Sequence, residues 1–144
     1  MAMKDAFYGW IEKAKPLTAK TLGSAVLYVD GNGQFTVRDL PAAIQLAPVF
    51  CFQKVSPGFL NKKAYLTGGN FFDVIPFEGR YDAQAVSLFT DSNGTIQSIP
   101  QINLAQIKGQ VRNIQPLHTA KRGNVMMIAR NNEKIIFMAN KKSK

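Results

Sequence analysis

The spacing of hydrophobic residues changes near Ser24. Ahead of it, Phe7, Trp10, Ile11 and Ala14 recur at i, i+3, i+4 and i+7, which predicts one short amphipathic α-helix over 4–15. Lys4, Glu12, Lys13 and Lys15 fall mostly off this stripe, and Pro16 supplies a stop. Gly9 weakens the helix by about 1 kcal/mol relative to alanine. Beyond Ser24 the period shortens to that of strands. Ala25–Val29 and Gln34–Arg38 flank the turn residues Asp30-Gly31-Asn32-Gly33 and predict a hairpin.

Residues 49–55 and 63–67 are further strand candidates. So is Asn70–Phe77, which is read as following a Gly68-Gly69 turn and carries Phe71, Phe72, Val74, Ile75 and Phe77. A second hairpin is expected over Ala85–Ile99, turning at Asp91-Ser92-Asn93-Gly94. The Asn-Gly step favours positive φ at both central positions of a type I′ turn. A third covers Val125–Met138, with Asn131-Asn132-Glu133 at its tip. Its two apolar runs need cover on both faces, so it is expected to be central. A short helix fits Pro41–Leu46, and 101–108 fits either a strand or a helical turn. The two D-x-N-G hairpins resemble each other, but shared turn chemistry accounts for that. The prolines at 16, 41, 48, 57, 76, 100 and 116 fall between candidate elements.

The expected architecture is a single β-rich domain over 1–144. It is a β-barrel or β-sandwich of short antiparallel strands and hairpins, with one short N-terminal α-helix. At 46% hydrophobic and 19% charged residues the composition is that of a globular chain. Cys51, the lone cysteine, lies in the apolar run Val49–Phe52 and reads as a small core residue. No apolar run approaches the roughly 18 residues of a membrane span, and no secretory signal is evident. The expected location is cytoplasmic or within a virion.

Charge adds a direction. Residues 111–144 carry a net +7 and residues 1–110 a net +2. Lys121 and Arg122 form a basic turn, and Lys141, Lys142 and Lys144 a basic tail over 140–144. A returning hairpin would bring both to one end of a sheet, with Arg130 and Lys134 at the other. Such a cluster suits phosphates or an acidic neighbour without reading sequence.

Reactive chemistry is sparse. Asp30-Gly31-Asn32-Gly33-Gln34 begins like a calcium loop, but Phe35 and Pro41 stand where an EF-hand needs Gly and Glu. Neither Gly31-Asn32-Gly33 nor Gly68-Gly69 completes a phosphate motif. One His and one Cys do not supply a common zinc set. Asp73, Glu78, Arg80 and Asp82 read as a solvated loop, which could instead dock a basic tail from another copy. His118 reads as a loop histidine. No catalytic residue, metal, cofactor or small-molecule substrate is expected.

The function these features favour is a non-enzymatic assembly protein, such as a coat, cement or minor virion subunit of a virus or phage. Its partners would be copies of itself or other particle subunits, and nucleic acid on the basic side. Phe7, Trp10 and Ile11 are the candidate subunit contacts. The alternative is a small single-strand nucleic-acid-binding module of OB type, with most of the aromatic residues serving the core.

Overall fold

A computed structural model describes residues 3–55 and 63–139. It is mainly β, with nine strands in three antiparallel sheets among the described residues. Strands β1 (Ala25–Val29) and β2 (Phe35–Asp39) form a two-stranded hairpin. Strands β3 (Val49–Lys54), β4 (Ala64–Gly69), β5 (Val86–Ser92) and β6 (Thr95–Ser98) form a four-stranded sheet in that order. Strands β7 (Val111–Thr119), β8 (Gly123–Arg130) and β9 (Ile136–Ala139) make the third sheet. Among the described residues no sheet closes on itself, so the closed-barrel expectation is corrected.

Residue alternation along β4 and β5 organises the layers. Leu66 pairs with Leu88, and Gly68 with Val86; these point one way. There they meet Val111, Ile114, Met126 and Ile128 from the three-stranded sheet in the larger buried cluster. Tyr65 and Phe89 pair on the opposite face, with ring centroids 5.2 Å apart. They join Leu40, Ile44, Val26 and Ile96 under the β1–β2 hairpin. The four-stranded sheet therefore carries apolar cover on both faces, and Leu66, Met126 and Ile128 are almost fully buried.

Local turn chemistry placed two hairpins well. Asp30 Oδ1 accepts the N–H groups of Asn32 and Gln34, each at 2.8 Å, and closes the first. Asn93 and Gly94 both take positive φ, 50° and 85°, as a type I′ turn requires. A 3-10 turn, Ala42–Ile44, follows Pro41, and a single helical turn, Ile102–Ala105, resolves the ambiguity at 101–108.

Other expectations are corrected. The continuous helix over 4–15 is only a helical turn at Met3–Ala6 and a 3-10 turn at Ile11–Lys13. Gly9 sits between them at φ 76° and breaks the stripe. Gly68 and Gly69 end strand β4 rather than forming a turn, and residues 70–84 form a loop pinned by the bridge Phe71–Tyr81. Within the third hairpin β8 is central, but β9 is an edge strand with Phe137 exposed. Strand β7 was missed altogether. Its polar residues and Pro116 hide it, yet it is an edge strand, where a missing N–H is tolerated. No helix among the described residues is long and apolar enough to cross a membrane.

Candidate interaction surfaces

The β1–β2 register sets two faces. Val26 and Tyr28 turn toward the body, and Val26 packs on the smaller core cluster. The other face carries the cross-strand pairs Leu27–Val37 and Val29–Phe35. All four are between 56% and 66% exposed, so this is a contiguous apolar patch and not scattered single residues. Asp39, opposite Ala25, lies on the same face at its base. Part of the signal was present in the sequence: Leu27 and Val29 alternate on one arm and Phe35 and Val37 on the other, and the register set by the turn brings the two pairs to one side.

The segment ahead of β1 is a second apolar surface. From Asp5 to Leu22 every residue is exposed except Ile11, which is half-buried. Trp10 is 77% and Leu22 92% exposed, and Phe7, Tyr8 and Leu17 also face solvent. Of the candidate subunit contacts, Phe7 and Trp10 are thus open while Ile11 is partly covered. The segment meets the body at Ser24, whose N–H donates to Gln45 Oε1 at 2.9 Å and whose carbonyl accepts the Leu40 N–H at 3.0 Å.

Part of the basic end lies within the described residues. Lys121 and Arg122 are exposed in the turn between β7 and β8. Thr119 Oγ1 orders that turn by accepting the Arg122 N–H at 3.1 Å and donating to the Gly123 carbonyl at 3.2 Å. His118 pairs across the hairpin with Asn124, its Nδ1 2.9 Å from Oδ1. Strand β9 runs back toward this end, since Ala139 pairs with Val125. Lys141, Lys142 and Lys144 lie outside the described residues. Arg130 and Lys134 are at the opposite end, where Arg130 pairs with Glu133 and donates to the carbonyls of Lys108 and Lys134.

Arg112 is also committed, in a buried polar knot that sequence reasoning did not find. Its guanidinium donates to the Asn70 carbonyl at 2.9 Å and to Gln110 Oε1 at 2.6 Å, and lies 4.0 Å over the Phe50 ring. Asn70, at φ 75°, accepts the Gln84 N–H through Oδ1 at 2.8 Å and donates through Nδ2 to the Gly109 carbonyl at 3.1 Å. Gln110 Oε1 accepts the Phe72 N–H at 3.0 Å. These bonds tie the 70–84 loop to the chain entering β7. Beside them opens a cleft of about 830 Å³, lined by Leu46, Phe72, Val86, Leu88, Ile99 and Leu104 among others. Part of its polar lining is engaged: Gln84 accepts the Leu46 N–H and donates to Ser87 Oγ, and Glu133 holds Arg130.

The buried Asp91 is the strongest electrostatic feature. Its Oδ1 accepts the Gly94 N–H at 3.0 Å, and its Oδ2 meets Lys63 Nζ at 3.2 Å. Burial pushes the carboxyl up, but the Gly94 amide, the Lys63 ammonium and the nearby Tyr28 hydroxyl outweigh it and hold it below its ordinary value. The Tyr28 hydroxyl oxygen is itself buried, and its ionisation is pushed up, first by burial and then by Asp91. A depressed carboxyl stabilises the fold above the unfolded pKa, about 3.9, and that contribution is lost as pH falls through the folded value. Asp91→Asn is therefore expected to flatten the loss of unfolding free energy in acid, measured by urea unfolding at a series of pH values. An unchanged acid limb would show that Asp91 does not govern it.

Burial pushes the Cys51 thiol up, against smaller opposing effects from Gly68, Ile114 and Arg112. Packed half-buried against the larger cluster, it is a filler, as its sequence context implied. Among the described residues no three His, Cys, Asp or Glu side chains gather as a metal set. No protein-family model, curated protein or solved structure matches this chain.

Proposed function

We propose that this chain is a non-enzymatic assembly protein, a subunit of a larger particle of the kind that virus or phage coat, cement or minor virion proteins form. One observation carries the reading: the outer face of the β1–β2 hairpin is a contiguous apolar patch that no described residue covers. It is not alone. Eighteen large apolar side chains are exposed among the described residues, including five between Phe7 and Leu22. Single exposed hydrophobics are ordinary on a monomer, but clustered ones mark contact surfaces. The basic β7–β8 turn gives the subunit a side suited to nucleic acid or to an acidic neighbour, with Lys121 and Arg122 as the contacts and Lys141, Lys142 and Lys144 following in sequence.

Sedimentation velocity over a range of protein concentrations tests the reading. The expected result is a species heavier than the 15.9 kDa chain whose population rises with concentration. Leu27→Ser with Val37→Ser is expected to shift it toward monomer while leaving the circular dichroism spectrum unchanged, since neither side chain is buried. A strictly monomeric parent chain would overturn the proposal.

A further inference from the structure

We infer that the two apolar surfaces are complementary halves of one contact: the exposed segment Phe7–Leu22 of one copy covers the outer β1–β2 face of a second copy. The inference rests on the assembly reading above and adds how the copies join. Within one chain the two surfaces do not meet, because both are open to solvent. The tether allows them to meet between chains. The segment is fastened at Ser24, and its last nine residues, Ala14–Leu22, can reach about 30 Å when extended. Chain geometry at Ala14, φ −78° and ψ 135°, is already extended.

Area and charge agree with this pairing. Covering the four hairpin side chains and the five segment side chains removes on the order of 1,300 Å² from water, and about twice that when two copies exchange segments, against about 1,600 Å² for a standard stable interface. A two-fold exchange uses each surface once in each copy and leaves neither open. Residues 7–22 carry Lys13, Lys15 and Lys20 against the one acid Glu12, whereas the hairpin face carries Asp39 at its base. The attraction between them is exposed and modest, and it sets orientation more than affinity.

Two full-length variants separate the halves. Phe7→Ser with Trp10→Ser removes the segment's aromatic anchors, and Val29→Ser with Val37→Ser removes the hairpin patch. Each alone is expected to weaken association roughly 30-fold or more, as loss of a central anchor does. An equimolar mixture is expected to form a one-to-one complex, weaker than the parent's but stronger than either variant alone, because one of the two contacts still joins an intact segment to an intact face. Trp10, the chain's one tryptophan, reports independently. Its emission should shift to the blue as the parent assembles, and should not shift in the hairpin variant. Trp10→Phe guards against misfolding, since it keeps an aromatic anchor and should associate within a few-fold of the parent. If the parent assembles while either variant does so equally well, or if the mixture stays monomeric, the pairing is wrong and assembly uses another surface. If the parent is monomeric, this inference and the assembly reading both fail.

Discussion

Asn70→Ala is expected to lower the free energy of unfolding by about 3–5 kcal/mol, the sum of orphaned partners and backbone strain. The side chain is 2% exposed and makes two buried bonds, from the Gln84 N–H and to the Gly109 carbonyl. Removing it leaves a buried donor and a buried acceptor without a protein partner, at about 1–3 kcal/mol each. Alanine must also hold φ 75°, a conformation asparagine tolerates better. Asn132→Ala is the control, because Asn132 has φ 54° but lies exposed, so it is expected to cost no more than about 1–2 kcal/mol. Urea unfolding of both variants decides the matter. Equal costs would mean that backbone strain alone acts at residue 70 and that the knot contributes nothing. The knot holds the 70–84 loop against the start of β7.

Gly69→Ala is expected to be at least as damaging, at about 3 kcal/mol or more, with a fall in soluble yield. A Cβ there would lie 2.6 Å from the Pro48 carbonyl oxygen and 2.9 Å from that of Gln84. Both obstacles are backbone, so no rotamer change relieves them, and the strand must move. Its neighbour Gly68 is different. A Cβ there would strike the Val111 and Cys51 side chains, so Val111→Ala is expected to recover part of the stability lost in Gly68→Ala. No single side-chain truncation should rescue Gly69→Ala in the same way. Thermal unfolding of the single and double variants measures this, and a mild Gly69→Ala, costing no more than Gly94→Ala, would refute the close backbone approach. Gly94 sits in open space, so alanine there meets no neighbour and carries only the backbone strain of φ 85°.

These glycines show where reading the chain succeeded and where it stopped. Asn93-Gly94 encodes its own geometry, since two adjacent residues suited to positive φ make a hairpin turn whatever surrounds them. Gly68-Gly69 has the same local freedom and no turn follows, because those residues are small so that Val111, Cys51 and two carbonyls can come close. Nothing near them in sequence records that crowding. Net charge alone is blind in the same way: Arg112 and Arg130 both count toward the +7 of residues 111–144, but one lies over Phe50 and donates to the Asn70 carbonyl, and the other is held by Glu133. Of the expected contacts outside the basic tail, Lys121, Arg122, Phe7 and Trp10 stand exposed.

By itself the sequence determined the β-rich class, the hairpins at Asp30–Gly33 and Asn93–Gly94, and the alternation that puts Leu27, Val29, Phe35 and Val37 on one side. These follow from interactions spanning a few residues, which any chain context preserves. Only the tertiary structure decided that the stripe at Phe7 and Trp10 would form no continuous helix, that Pro116 would sit within a strand, and that the hairpin's apolar side would face outward. Those outcomes depend on which surfaces find a partner across the fold, and that is set by packing between residues far apart in the chain.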